Sequence, residues 1–139
     1  MIPAARRAGV DLVYAERVTR PVHPSRMPDF YATGNVTICA SLWEGASNSI
    51  MEAMAAGHAV ITTDCGNARE MRDSQVDHLG ASGIEVVLRS PEAFADALAR
   101  LTPERAAEMG AINREEIAAR WSWAAWRDRY AAILRSVHA

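Results

Sequence analysis

The chain has 139 residues, enough for one domain that buries a core without disulfides or metals. Half of its residues are hydrophobic and 23% are charged, which is typical of a globular protein. A net charge of -2 argues against a general nucleic-acid surface, and no apolar run approaches the roughly 20 residues that a transmembrane helix needs.

The cysteine and lysine content of the chain excludes several kinds of site. Cys39 and Cys65 are too few and too far apart for a disulfide framework or a metal knuckle. The first ten residues contain no apolar stretch of signal-peptide length. We therefore expect a cytoplasmic protein with reduced thiols. All 15 basic residues are arginine, so lysine is not available as a catalytic or phosphate-binding group.

The amino-terminal half alternates short helices and short strands. The elements predicted there, in chain order, are the tail of a helix over Ile2–Ala8, a strand over Asp11–Ala15, a short helix over Met27–Ala32, a strand over Val36–Ala40, a helix over Ser49–Ala56 that ends at Gly57, and a strand over Ala59–Thr63. The carboxyl-terminal half begins with a fourth strand over Ile84–Leu88. Three helices follow, beginning at Pro91, Pro103 and Ser122, and the last runs to about Val137.

This alternation predicts an α/β fold with a parallel sheet of about four strands and helices on both faces. Ligands of such sheets bind at the carboxyl ends of the strands. The segment from Ser41 to Asn48 follows one of those ends, so it is the first place to look for a site.

Two glutamates, Glu44 and Glu52, flank a turn of small residues in this region. Gly45 allows a tight turn, and the main-chain amides of residues 45–48 meet the positive end of the helix dipole, which favours a phosphate or diphosphate. Glu52, about one turn into the helix, is placed to accept two hydrogen bonds from a vicinal diol such as ribose. Because the surrounding segment is apolar, we expect Glu52 to be buried and to need a partner.

The same residues also fit simpler explanations. Ser49 and Glu52 have the spacing of a capping box, in which the glutamate bonds to the amide of the capping residue. Glu44 alone is typical of a solvated loop acid. Asp64 and Glu70, near the next strand end, either face the site or pair locally. The pattern leaves these alternatives open.

The segment SLWEGASNSIMEAMAAGHAVITTDCGNARE, residues 41–70, resembles the donor-site signature of group 1 (family 4) retaining glycosyltransferases of the GT-B fold. The matching positions are Glu44, Gly45, Glu52, Ala53, Met54, Ala55, Gly57, Val60, Thr63, Asp64, Gly66 and Glu70. Two positions depart from the family pattern, because Ala59 replaces a usual proline and Asn67 a usual glycine. Residues 121–134 again look like the terminal helix of the family.

The resemblance implies the later part of a Rossmann-like donor-binding domain, the C-terminal domain of the GT-B fold. Residues 1–139 would form one incomplete domain, with residues 121–138 as its terminal crossing helix. The complete enzyme would move a sugar from a nucleotide-diphosphate sugar to an acceptor with retention and without an essential metal or cofactor. The isolated chain would not turn over.

The resemblance also assigns roles to residues of the turn. Glu44 would be the catalytic residue that holds the hydroxyls of the transferred sugar, and Glu52 would bind the ribose. The main chain of Gly45, Ala46, Ser47 and Asn48 would hold the diphosphate. Arg17 and Arg20, which follow the first predicted strand, are the cationic partners that we predict for it.

Partners follow from what the chain lacks. The acceptor-binding domain and the first strands of the donor domain would be absent, so the strand over Asp11–Ala15 should pair in an atypical place, or two chains should pair or swap. Trp121, Trp123 and Trp126 should be partly exposed and favour a homodimer. The alternative function is a non-enzymatic assembly or regulatory module derived from such a transferase. An epimerase of the same fold is less favoured, because the motifs that carry its catalytic acids are not found here.

Overall fold

The structure, a computed structural model, describes residues 9–14 and 19–137. Its centre is a parallel sheet of three strands, β1 (Val36–Cys39), β2 (Ala59–Thr63) and β3 (Ile84–Val87), in the order β1-β2-β3. Val36 lies opposite Ala59, and Val60 lies opposite Ile84. All five residues of β2 are buried, as expected for a central parallel strand covered on both faces. The predicted α/β architecture is confirmed.

Helices precede and follow each strand. They are a 3-10 turn over Pro24–Arg26 that leads into α1 (Met27–Tyr31), α2 (Asn48–Ala56), α3 (Ala68–Leu79), α4 (Pro91–Arg100), α5 (Pro103–Glu116), a π-helical turn over Ile117–Trp121, and α6 (Trp123–Val137). The side chains of Ser90 and Thr102 accept hydrogen bonds from the first-turn amides of α4 and α5. The prolines that follow these caps begin both helices, as predicted from the sequence.

Successive residues of β2 face opposite layers of the core. Val60 joins a cluster that contains Ile50 and Met54 of α2 and Met71 of α3. Ile61 packs on the other face, against a cluster from α4 that includes Phe94 and Leu98. Both faces of the sheet are therefore covered. A ligand-binding site is expected at the loops that follow the carboxyl ends of the strands.

One predicted element is wrong, and one observed helix was not predicted. Residues 11–14 form no regular strand, and they lie across an open cavity of about 570 Å³ from β1. Ile2–Ala8 and Ala15 lie outside the described residues. Helix α3 was not predicted at all, because its buried face uses Ala68, Met71 and the polar Gln75 rather than an apolar stripe.

The missing strand leaves β1 at the edge of the sheet. β1 pairs with β2 on one side, and no strand within the described ranges lies along its other side. The prediction that the first strand pairs in an atypical place is therefore wrong for residues 11–14. The alternative, pairing or swapping between two chains, stays a prediction.

A buried amide network joins the strand starts to the helices behind them. The Asn113 side chain on α5 donates to the carbonyl oxygens of His58 (2.7 Å) and Gly83 (2.8 Å) and accepts from the Gln75 side chain (2.7 Å). Gln75 in turn accepts from the Gly83 amide and the Ser82 hydroxyl. Asn113 and Gln75 have no exposed surface. Every polar group of the pair is satisfied, so the network fixes α3 and α5 against the sheet.

Helix α6 has no buried residue. Five large side chains spaced three and four residues apart are exposed along it; this apolar stripe consists of Trp123, Trp126, Tyr130, Ile133 and Val137. Trp121, in the preceding turn, instead packs on the core and donates to Glu116. The predicted exposure of the indoles is confirmed for Trp123 and Trp126. Within the described part of the chain, neither α6 nor any other helix has the length and apolar character needed to cross a bilayer.

Candidate functional site

The turn between β1 and α2 packs directly on the loop that follows β2. Gly66 has a φ of +55°, and a Cβ atom placed on it would overlap the Gly45 carbonyl and touch Glu44. Thr63 also donates from its hydroxyl to the carbonyl oxygen of Ser41. The two loops thus form one rigid unit at the carboxyl edge of the sheet.

Glu44 lies at the exposed rim of this unit. Its carboxylate accepts a hydrogen bond from the Ser41 hydroxyl at 2.6 Å, which orients the side chain without burying it. Trp43, immediately before it, is 86% exposed. The loop therefore presents both a solvent-exposed carboxylate and exposed aromatic surface, which suits a polar, ring-shaped ligand.

The expectation that Glu52 is buried is wrong, and so is the capping-box alternative. Glu52 is exposed. Helix α2 buries its apolar residues Ile50 and Met54 in the core, and Glu52 lies on the side of the helix that faces solvent. Its carboxylate accepts from the Tyr31 hydroxyl at 3.2 Å rather than from its own backbone. The helix also begins earlier than predicted, at Asn48, with Ser47 in the capping position.

The main-chain amides of the turn are only partly available for a ligand. The Ser47 amide donates to the side-chain oxygen of Asn67 at 3.2 Å. Within residues 9–14 and 19–137 no acceptor is found for the amides of Gly45 and Ala46, and both residues are exposed. Asn67 thus does more than replace the usual glycine, since it holds the turn from the neighbouring loop.

Of the two cationic partners predicted from the sequence, Arg20 is not brought to the turn. Arg17 lies outside the described residues. Arg20 stacks over the Tyr14 ring, with 4.8 Å from its guanidinium carbon to the ring centroid. Arg89, which the sequence reasoning missed, donates instead to the Ala40 carbonyl from the end of β3, so its exposed guanidinium lies beside the end of β1. The signal that could have found it is its position directly after a predicted strand.

The remaining acids separate into two environments. Asp64 pairs with Arg69 at 2.6 Å, and this hydrogen bond holds the pKa of Asp64 below its usual range. Glu70 lines a groove between α3 and the residues around Trp126 rather than the turn. Among the described residues, no group of three or more His, Cys, Asp or Glu side chains is arranged to hold a metal ion.

His58 supports the site from behind. Its Nε2 lies 2.8 Å from the Tyr31 carbonyl oxygen, and its Nδ1 lies 2.9 Å from the Thr37 hydroxyl. A carbonyl only accepts, so Nε2 carries the proton and Nδ1 accepts from Thr37. Burial lowers the pKa of His58 below its ordinary value of 6.5, although the bond to the Tyr31 carbonyl opposes the shift.

This lowered pKa predicts acid sensitivity. Between the folded pKa and 6.5 the unfolded chain binds the extra proton, so the stabilisation is complete above pH 6.5 and is lost as the pH falls through the folded value. Urea unfolding from pH 7.5 to 5 should show the free energy of unfolding falling in the wild type and falling less in His58→Gln. The exposed His78 provides the control, since His78→Gln should keep the wild-type slope. Equal slopes in all three proteins would contradict the assignment.

Comparison with known proteins assigns the chain to a protein family. The family model described as Glycosyl transferases group 1 matches residues 4–103, which is more than half of the chain. The chain belongs to this family. The resemblance read from residues 41–70 is therefore confirmed at the level of the family.

Individual group 1 glycosyl transferases show the same relationship. The chain is 34% identical over 125 residues to D-inositol 3-phosphate glycosyltransferase 2 of Catenulispora acidiphila, covering 87% of this chain and 27% of that protein. It is 38% identical over 94 residues to a GDP-mannose-dependent alpha-(1-6)-phosphatidylinositol monomannoside mannosyltransferase of Mycobacterium tuberculosis, covering 66% and 23%. With alpha-maltose-1-phosphate synthase of Mycolicibacterium smegmatis it shares 31% identity over 141 residues, covering 98% and 35%.

The fold agrees with that of a solved structure as well. Sucrose-phosphate synthase from Thermosynechococcus elongatus superposes with a TM-score of 0.73 at 22% identity, over 85% of this chain and 29% of that one. This likeness shows the GT-B type of α/β fold. The chain spans between about a quarter and a third of the length of the curated relatives that it matches.

Proposed function

We propose that this chain is the donor-binding portion of a glycosyltransferase that moves a sugar from a nucleotide-diphosphate sugar to an acceptor with retention. One observation carries the proposal: Glu44 and Glu52 stand on either side of an exposed turn at the start of α2, with both carboxylates open to solvent. A helix start, small residues and two flanking carboxylates are the chemistry that a nucleoside diphosphate linked to a sugar requires.

Each residue of the turn has a role in this proposal. Glu44 holds the hydroxyls of the transferred sugar, and Glu52 holds the ribose diol. The amides of Gly45, Ala46 and Asn48 bind the diphosphate, whereas Ser47 shapes the turn because its own amide is engaged by Asn67. We expect Arg89, and not Arg20, to stabilise the phosphate charge, because Arg89 lies at the carboxyl ends of the strands, where the turn begins.

Titration calorimetry with UDP, GDP and ADP tests the proposal. We expect one of them to bind and Glu52→Ala to weaken its binding by about 10- to 100-fold, because a hydrogen bond to a charged group contributes about 1.5–3 kcal/mol. Glu115→Ala on α5 is the matched control, an exposed glutamate on another face that should leave the affinity unchanged. Added EDTA should also leave it unchanged, because no metal is required.

A folded chain that binds none of the three would overturn the donor-binding role. That result would favour the alternative function, a non-enzymatic assembly or regulatory module. The exposed apolar stripe of α6 supports this alternative. A cytoplasmic location belongs to the same proposal, and the free, buried thiols of Cys39 and Cys65 support it.

The partners that we propose are the nucleotide sugar, an acceptor-binding domain and a second copy of the chain. The apolar stripe of α6, in which Trp123 is 79% exposed, gives the surface for self-association, as does the open edge of β1. Sedimentation of a dilution series should show concentration-dependent association, and a strictly monomeric series would argue against it.

A further inference from the structure

The partner of Glu52 within the chain is Tyr31, 21 residues earlier and on a different helix. The Tyr31 hydroxyl lies 3.2 Å from one carboxylate oxygen of Glu52 and 3.3 Å from the carbonyl oxygen of Ser49. One hydroxyl proton shared between two acceptors accounts for lengths above those of a single O–H···O bond. The contact ties the tip of an exposed side chain to the buried end of α1.

Tyr31 keeps its proton in this place. Only 8% of the residue is exposed, and burial, reinforced by the negative charge of Glu52, raises the pKa of the Tyr31 hydroxyl far above its usual range. The hydroxyl is therefore a donor at every physiological pH. Toward the carboxylate it acts as a fixed donor and not as a second acid.

Tyr31 is itself held from two sides. His58 donates from Nε2 to the Tyr31 carbonyl, and its ring packs edge-on against the tyrosine ring with 5.6 Å between centroids. Thr37 fixes His58 through Nδ1. Tyr31 is thus held by His58, which immediately precedes β2, and through His58 by Thr37 on β1, and both belong to the sheet side of the domain and not to the turn.

A carboxylate has two oxygens, and this arrangement engages only one of them. An exposed glutamate otherwise samples several rotamers and loses that freedom when it binds a ligand. We infer that Tyr31 is a positioning residue, which holds one oxygen of Glu52 so that the other is aimed at the ribose diol, and that the pair sets a preference for ribonucleotides over 2′-deoxyribonucleotides. This inference rests on the proposed function and adds a residue and a specificity to it.

The test compares each nucleoside diphosphate with its 2′-deoxy counterpart, for example UDP with dUDP, in the full chain. The wild type should bind the ribo form about 10-fold more tightly, as one hydrogen bond to a charged group predicts. Tyr31→Phe, which keeps the ring, should weaken the ribo form more than the deoxy form, which retains its 3′-hydroxyl, so that the ratio falls by at least about threefold. Combining Tyr31→Phe with Glu52→Ala should add nothing to Glu52→Ala alone. Tyr130→Phe, an exposed tyrosine on α6, is the matched control and should keep the wild-type ratio.

The outcomes separate the inference from the proposed function. If Glu52→Ala abolishes the ratio and Tyr31→Phe keeps it, or weakens both ligands equally, the inference is overturned and the donor-binding proposal stands. If the folded wild type binds neither ligand, both are overturned. Should Tyr31→Phe not fold, the unmodified chain labelled with ¹³C at tyrosine Cζ answers the question. The Tyr31 signal should then move further with the ribo ligand than with the deoxy ligand, and equal movement with both would overturn the inference.

Discussion

Replacing Asn113 by alanine should lower the free energy of unfolding by about 3–5 kcal/mol. The side chain makes three hydrogen bonds inside the core, to two main-chain carbonyls and to Gln75. Alanine would leave all three partners buried without a replacement and would also open a small cavity. Urea unfolding followed by circular dichroism measures the change.

The neighbouring Glu115 gives the control for this prediction. It lies two positions along the same helix and is exposed, so Glu115→Ala should change the free energy of unfolding by no more than about 0.5 kcal/mol. A loss below about 1 kcal/mol for Asn113→Ala would show that water enters and satisfies the network.

Gly66→Ala should destabilise the protein by about 2–5 kcal/mol. The left-handed backbone at φ +55° costs a residue with a Cβ atom about 1–2 kcal/mol. The new methyl group would also collide with the Gly45 carbonyl, and forced overpacking of this kind costs about 1–3 kcal/mol. Because the collision pushes on the turn itself, nucleotide binding should weaken along with stability.

Gly80 separates the two causes. It has a φ of +71° at the end of α3, but a Cβ atom there would meet nothing within 4 Å. Gly80→Ala should therefore cost only the backbone contribution, about 1–2 kcal/mol, and leave binding unchanged. Equal losses for Gly66→Ala and Gly80→Ala would mean that the turn yields freely and that the two loops are not one rigid unit.

The sequence was most informative where local chemistry decides the structure. The strands that begin at Val36, Ala59 and Ile84 are rich in β-branched and apolar residues, and the helices that follow Ser90 and Thr102 have their own caps and prolines. Helix α3 was missed because Gln75, a polar residue, occupies its buried face, and its burial is made favourable by contacts with Ser82, Gly83 and Asn113 that lie further along the chain. The predicted strand was wrong at residues 11–14 for a related reason, since a strand needs a neighbour and none of the described strands pairs with these residues.

The candidate site, too, was predicted correctly only where local sequence decides the structure. Glu44, Glu52 and the turn between them lie where the pattern placed them, because a strand, a glycine and a helix start are close in sequence. The burial of Glu52 was predicted wrongly, because an apolar segment does not say which side of the helix faces the core. Tyr31 and Asn67 could not be found from the sequence, since both reach the site from loops and helices about 20 residues away.

The one-sided pairing of β1 has a practical consequence for anyone who handles the protein. No strand of residues 9–14 or 19–137 pairs with that flank, so its peptide groups can extend the sheet into a neighbouring molecule, and concentrated or partly refolded samples should form ordered aggregates from this strand first. Amide hydrogens there should exchange with deuterated water well before those of β2, whose five residues are buried between two strands.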